Sequence, residues 1–174
     1  SLSAISSFSW SLDQDLTFYE SAGITNIGAS LAKLDKAGFA SGAQKISNAG
    51  LRVTNLIGIG PFRLDDPGQW PAQQERIKHA LEAAHTVNAE CLVLTTGPAG
   101  AMSWNDAANA LASALQPILA DTGGIKFALE HTNSLRVDVG FVHSLADVID
   151  LATRFDIGVC MEINACWAER DLAK

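Results

Sequence analysis

Cationic side chains are scarce in this chain: 12 Lys and Arg stand against 19 Asp and Glu, a formal net charge of −7 and a pI near 4.9. Binding to a phosphate backbone is driven by Lys and Arg neutralisation and counterion release, and no run of either residue occurs. Nucleic acid is therefore not an expected partner. Cysteine is scarcer still. Cys91, Cys160 and Cys166 are odd in number and lack the CxxC spacing of a zinc or redox motif, so neither a zinc site nor a disulfide framework is indicated. Cys91 and Cys160 lie in apolar runs, where a thiol is usually a small core residue. A reducing, cytoplasmic setting is the simplest expectation. No apolar stretch is long enough to form a membrane-spanning helix, and the N-terminus lacks the basic-then-apolar order of a secretory leader. The chain opens at Ser1 rather than at a methionine, which reads as a trimmed start. What is present is a 48% hydrophobic, 18% charged chain of 174 residues. That describes a single globular domain with a sizeable core.

The same phrase recurs along the chain: an amphipathic helical stretch, a small-residue stop, then a short apolar run. Helical spacing joins Leu12, Leu16 and Tyr19 and stops at Ala22-Gly23; Ile24–Gly28 follows as a strand. A second helical stretch, Gln44 to Ala49, stops at Gly50 before Leu51–Ile57. The third begins after Pro71, carries Ile77, Leu81 and Ala84 on one face, and precedes Cys91–Leu94. Trp104 to Leu119 forms the fourth, before Ile125–Leu129. Ser144 caps a fifth, Leu145 to Phe155, before Ile157–Met161. The five runs begin at Ile24, Leu51, Cys91, Ile125 and Ile157, hence 27, 40, 34 and 32 residues apart. About 30 residues suits a strand plus a crossover helix, and the 40-residue interval holds a long loop from Pro61 to Pro71. With Leu2–Phe8 as an opening strand, the count is six.

Alternating strands and helices predict a parallel sheet covered by helices. An open, doubly wound sheet would be complete at six strands, but it normally carries a glycine-rich turn after the first, where this chain has Ser9-Trp10-Ser11. A closed (β/α)8 barrel needs eight units and roughly 250 residues. Pattern alone favours the open sheet.

The strand ends reverse that preference. In parallel α/β folds the chemistry gathers at the carboxyl ends of the strands. Glu130 closes the run Ile125–Leu129, and Glu162 closes Ile157–Met161. Each run is apolar enough to be buried on both faces, so each charge falls at the rim of a core. Two carboxylates on neighbouring strands repel one another unless protons or a cation intervene, and a hard divalent ion with oxygen ligands relieves that repulsion. The plainer alternative is that each glutamate opens a loop and faces water.

The stretch Phe127-Ala128-Leu129-Glu130-His131-Thr132-Asn133, with Leu135-Arg136-Val137-Asp138 and Ser144–Ala152 after it, resembles the xylose isomerase-like TIM-barrel superfamily. That group includes sugar-phosphate isomerases and epimerases and the "AP endonuclease family 2" proteins. The passage Phe18–Gly28 is similar to the family's usual entry into strand two. The resemblance implies a (β/α)8 TIM barrel of which this chain supplies about six βα units, a single domain over residues 1–174 lacking the seventh and eighth. It implies that Glu130 is both a metal ligand and the catalytic acid/base. Glu162 becomes the second ligand, in place of an aspartate in a phrase of the form Leu-Asp-x-x-His. The implied metal is manganese or magnesium, with zinc in the endonucleases. The histidine of that phrase is here Ala165, which removes one usual contact. The implied partner is a small sugar or sugar-like substrate, converted through an enediolate. A metal-dependent lyase, an abasic-site endonuclease and a barrel that has lost its site stay open as alternatives, as does homo-oligomerisation.

Substrate contacts are expected from Trp10 and Trp167, aromatic faces at strand tops, from Arg136 toward a substrate anion, and from His131. Strand alternation nevertheless points His131 away from the side of Glu130. His79 and His85 are expected on the outer surface of the third helix. His143 has no identifiable partner, and Gly97-Pro98-Ala99-Gly100 is too generic a turn to read as a phosphate cradle.

Overall fold

Residues 1–170 are described here from a computed structural model. Six strands form one parallel sheet: β1 (Leu2–Ser3), β2 (Asn26–Ser30), β3 (Arg52–Ile59), β4 (Cys91–Thr95), β5 (Lys126–Glu130) and β6 (Gly158–Cys160). Their order across the sheet is their order in the chain. A doubly wound sheet reverses strand order at a switch point and places helices on both faces. Unbroken order with right-handed crossovers keeps every helix on one face, which is the winding of a barrel wall. The topology therefore rejects the open doubly wound alternative.

The helices are α1 (Leu12–Ser21), α2 (Leu31–Lys36), α3 (Phe39–Asn48), α4 (Trp70–Thr86), α5 (Trp104–Leu119) and α6 (Leu145–Phe155). Several begin where local chemistry dictates. Ser11 and Gln14 form a reciprocal capping box at α1. Ser103 accepts from the Asp106 amide at α5, and Ser144 accepts from the Asp147 amide at α6. Each cap is worth about 1 kcal/mol. Between the helices and the sheet lies a continuous apolar core. Ile77, Leu111 and Leu115 from the helices meet Leu56, Leu92, Leu94, Phe127 and Leu129 from the strands. Because side chains alternate along a strand, Ala128 and Glu130 must face the other side, the interior of the barrel wall.

Three boundaries differ from the sequence expectation. The opening strand was expected over Leu2–Phe8, but regular pairing stops at Ser3. Ala4 adds one bond to the Gly28 carbonyl, and a series of turns follows. The second crossover holds two helices rather than one, because Gly38 at φ 78° breaks the chain between α2 and α3. β6 was expected to be buried on both faces, yet Val159 and Met161 are exposed, since among the described residues β6 pairs only with β5. The long loop after β3 does exist, but it is not loose. Phe62 and Leu64 within it are buried, and it crosses so close to Gly97 (φ 81°) that a Cβ there would collide with the Phe62 backbone. The glycine turn has a packing reason rather than a phosphate-binding one.

Candidate functional site

Strand register builds the site. On the barrel-interior face Glu130 is flanked by Thr95 of β4 and Cys160 of β6, its direct partners across the sheet. Glu162 lies two residues beyond Cys160, past the end of β6, in the coil and turn that follow it. Burial is the larger of the two causes that push the Glu130 carboxyl up to about 7, and the negative charge of Glu162 is the other. Proximity of the two carboxylates is thus written into the electrostatics of the site. Among the described residues neither is in a salt bridge. One oxygen of Glu162 accepts from the Asn164 amide at 3.0 Å.

Cys160 was expected as a core thiol and is half-buried in this row instead. Burial first, then Glu130, Cys91 and Glu162, drive its pKa to about 12. It is a neutral S–H beside the carboxylates rather than a thiolate ligand or nucleophile. Its position near Glu162 was legible in principle, because only one residue separates the two in the sequence. Thr95 was not, because the register between β4 and β5 is a property of the assembled sheet.

A divalent cation suits this donor set as far as it goes. Two oxygen-bearing carboxylates with no cation to balance them are hard ligands whose mutual repulsion a metal would relieve. Among the described residues no group of three His, Cys, Asp or Glu side chains is placed to hold a metal ion. Two carboxylates alone would be an incomplete ligand set for such an ion. Ala165, at the place of the missing histidine, is buried and uses its amide to close a turn on the Glu162 carbonyl at 3.0 Å.

The expected substrate contacts are dispersed. Trp10 is 41% exposed and packs edge-on against Phe18 of α1, 5.7 Å between ring centroids. Trp167 is 75% exposed in the short 3-10 turn Cys166–Ala168. Arg136 binds Asp138 of its own loop through Nε and Nη2 at 3.0 and 3.1 Å, so its guanidinium is already matched to a carboxylate. His131 has no exposed surface and turns toward Cys166, 3.5 Å from Nε2 to Sγ, which leaves no surface for a substrate. His143 has a partner after all, because its Nδ1 lies 3.0 Å from the Thr132 carbonyl. His79 is exposed on α4 and reaches Asp35 at 3.1 Å.

A family model described as "Xylose isomerase-like TIM barrel" matches residues 17–173. Among solved structures, protein SMc04130 from Sinorhizobium meliloti 1021 superposes with a TM-score of 0.85 at 21% identity, over 98% of this chain and 66% of its own. An AP endonuclease, family 2, from Brucella melitensis gives 0.77 at 13% identity, over 92% of this chain and 66% of its own. D-psicose 3-epimerase from Clostridium cellulolyticum H10, solved with D-tagatose, gives 0.71 at 11% identity, over 91% of this chain and 60% of its own. At these identities the likeness is one of fold, and the chain spans no more than about two thirds of the length of these structures. No curated protein matches the sequence.

Proposed function

The chain belongs to the xylose isomerase-like TIM barrel family, and from that premise we propose that it supplies two ligands of the divalent-metal site of a sugar or sugar-phosphate isomerase or epimerase. The observation that carries the reading is the placement of Glu130 and Glu162. Glu130 ends β5 facing the barrel interior, Glu162 follows the end of β6, and among the described residues neither is in a salt bridge, while the charge of Glu162 acts on the Glu130 carboxyl.

Glu130 and Glu162 would hold the cation. When bound, manganese or magnesium would polarise a substrate carbonyl and acidify the adjacent carbon. The remaining chemistry belongs to Glu130. A carboxylate oxygen takes the proton from that carbon, leaving an enediolate, and returns it to the neighbouring carbon for isomerisation. Delivery to the opposite face, which epimerisation requires, needs a second acid. Burial helps Glu130 accept the proton, because it removes the water that would otherwise stabilise the charged form. Cys160, held as a neutral thiol, adds no competing charge. The same arrangement supports a lyase if the enediolate eliminates instead. Ala165 is the one observation favouring a barrel without activity, since it removes an imidazole from the site.

The test is metal analysis with ketose turnover. Glu130→Gln is expected to abolish interconversion of ketoses in the presence of Mn2+ while leaving the circular dichroism unchanged. If the protein binds no divalent ion, or Glu130→Gln and Glu162→Gln both bind Mn2+ as the parent does, the metal reading fails.

A further inference from the structure

Glu130 is fixed by the sheet, but Glu162 is not. Strand pairing of β6 ends at Cys160, and residues 161–165 run as coil and turn. Something else must set the height and direction of Glu162. Its backbone carbonyl accepts from the Ala165 amide at 3.0 Å and from the Cys166 thiol at 3.3 Å. The same sulfur lies 3.5 Å from His131 Nε2, and both Cys166 and His131 are buried. His131 directly follows Glu130 and points to the opposite side of β5. An unbroken path therefore runs from Glu130 through its neighbour His131, across the Cys166 sulfur, to the main chain of Glu162.

The single thiol hydrogen can serve the Glu162 carbonyl, 3.3 Å away, or His131 Nε2, 3.5 Å away. Both contacts are made at once only when the thiol donates to the carbonyl and the sulfur accepts from a protonated Nε2, and the unbroken path uses that arrangement. Nδ1 is left as a bare acceptor, and it is buried without a partner. An unpaired buried polar atom costs free energy, and Nδ1 bears that cost in either tautomer, so the sulfur contacts alone distinguish the two. The Asn133 side-chain amide reaches the Asn164 carbonyl at 3.5 Å, and Glu169 accepts from the Leu145 amide at 2.6 Å. These secure the rest of the segment, and Asn164 in turn donates its amide to the Glu162 carboxylate at 3.0 Å, so the turn holds the side chain while the sulfur contact holds the main chain.

We infer that His131 and Cys166 form a positioning clasp that ties the Glu162 backbone to the end of β5 and so sets the separation of the two carboxylates. Neither residue touches substrate or metal. The inference rests on the reading of Glu162 as a metal ligand, and it concerns how that ligand is held.

The test uses Cys166→Ala, which removes the sulfur with little change of volume, and Cys166→Ser, which restores a donor and acceptor. Mn2+ alone is titrated into each protein, with affinity read by calorimetry or electron paramagnetic resonance. Cys166→Ala is expected to bind about tenfold more weakly and Cys166→Ser to recover to within about threefold of the parent, the scale usual for groups that orient a ligand. Circular dichroism should be unchanged in both. Parent-like affinity in Cys166→Ala overturns the clasp. If the parent binds no Mn2+, the metal reading falls and the clasp is judged by nuclear magnetic resonance. A protonated Nε2 on His131, with faster exchange of the Ala165 amide in Cys166→Ala, supports it. A protonated Nδ1, or unchanged exchange, overturns it.

Discussion

Glu130 carries a stability signature that can be measured without knowing any substrate. Its carboxyl is pushed up from the ordinary range near 4.5 to about 7 in the folded chain, mainly by burial and secondarily by the negative charge of Glu162. The folded state therefore holds this proton more tightly than the unfolded state does. The contribution of this group to stability is fully present below about pH 4.5, is lost as pH rises toward 7, and is constant above it. Glutamine cannot ionise, so in metal-free buffer Glu130→Gln should be more stable than the parent at pH 8, by roughly 2–3 kcal/mol. The difference should vanish near pH 4. Denaturant unfolding at the two pH values measures it, and an equal gap at both would refute the electrostatic account. At this scale Glu130 and Glu162 were legible because each closes an apolar run, whereas the inward position of Cys160 follows from its register with Glu130 in the assembled sheet. The Cys166–His131 contact was not legible. Its partners are 35 residues apart, and no local periodicity links a strand end to a turn on the next unit.

The elements were legible where periodicity is long and obscure where it is short. α5 and α6 were readable at both ends because each has a serine cap and several apolar turns. α2, six residues with two buried leucines, is too short to show a helical repeat. What fastens it is equally hidden. Lys33 of α2 and Asp15 of α1, 6% and 0% exposed, pair at 2.5 Å, and both bind Ser7 of the segment after β1. A buried pair of this kind contributes little against an apolar replacement, but removing one member strands the other. Asp15→Ala should therefore cost about 3–5 kcal/mol. Asp15→Leu combined with Lys33→Met should cost less than the single change, and equal losses in urea unfolding would contradict this. A separate test concerns the close crossing of two loops. Gly97→Ala combines a positive φ with a collision against the Phe62 backbone, and a loss of roughly 3 kcal/mol or more is expected. A thermal midpoint within a degree of the parent would mean that the loop after β3 gives way easily.

For the whole molecule, strand order decided what strand count could not. Six βα units suit an open sheet or a barrel wall equally, and only the assembled order β1 to β6 separates them. Charge also acts at this scale, and it bears on the endonuclease alternative raised by the fold shared with the Brucella protein. The chain has 12 Lys and Arg, and among the described residues Lys33, Lys45, Arg52, Arg63, Lys78 and Arg136 are already paired with carboxylates. Each phosphate contact requires an available cation and displaces a counterion. A chain with half of its cations engaged and a net charge of −7 is expected to repel a duplex at long range and to offer few groups to hold one at contact. In fluorescence anisotropy at 0.15 M salt, a labelled duplex with an abasic site should show no saturable binding tighter than about 10⁻⁴ M, the weak end of non-specific association. Micromolar binding that weakens steeply with salt would mean that the chain presents a cationic surface to the duplex, and would favour the endonuclease reading.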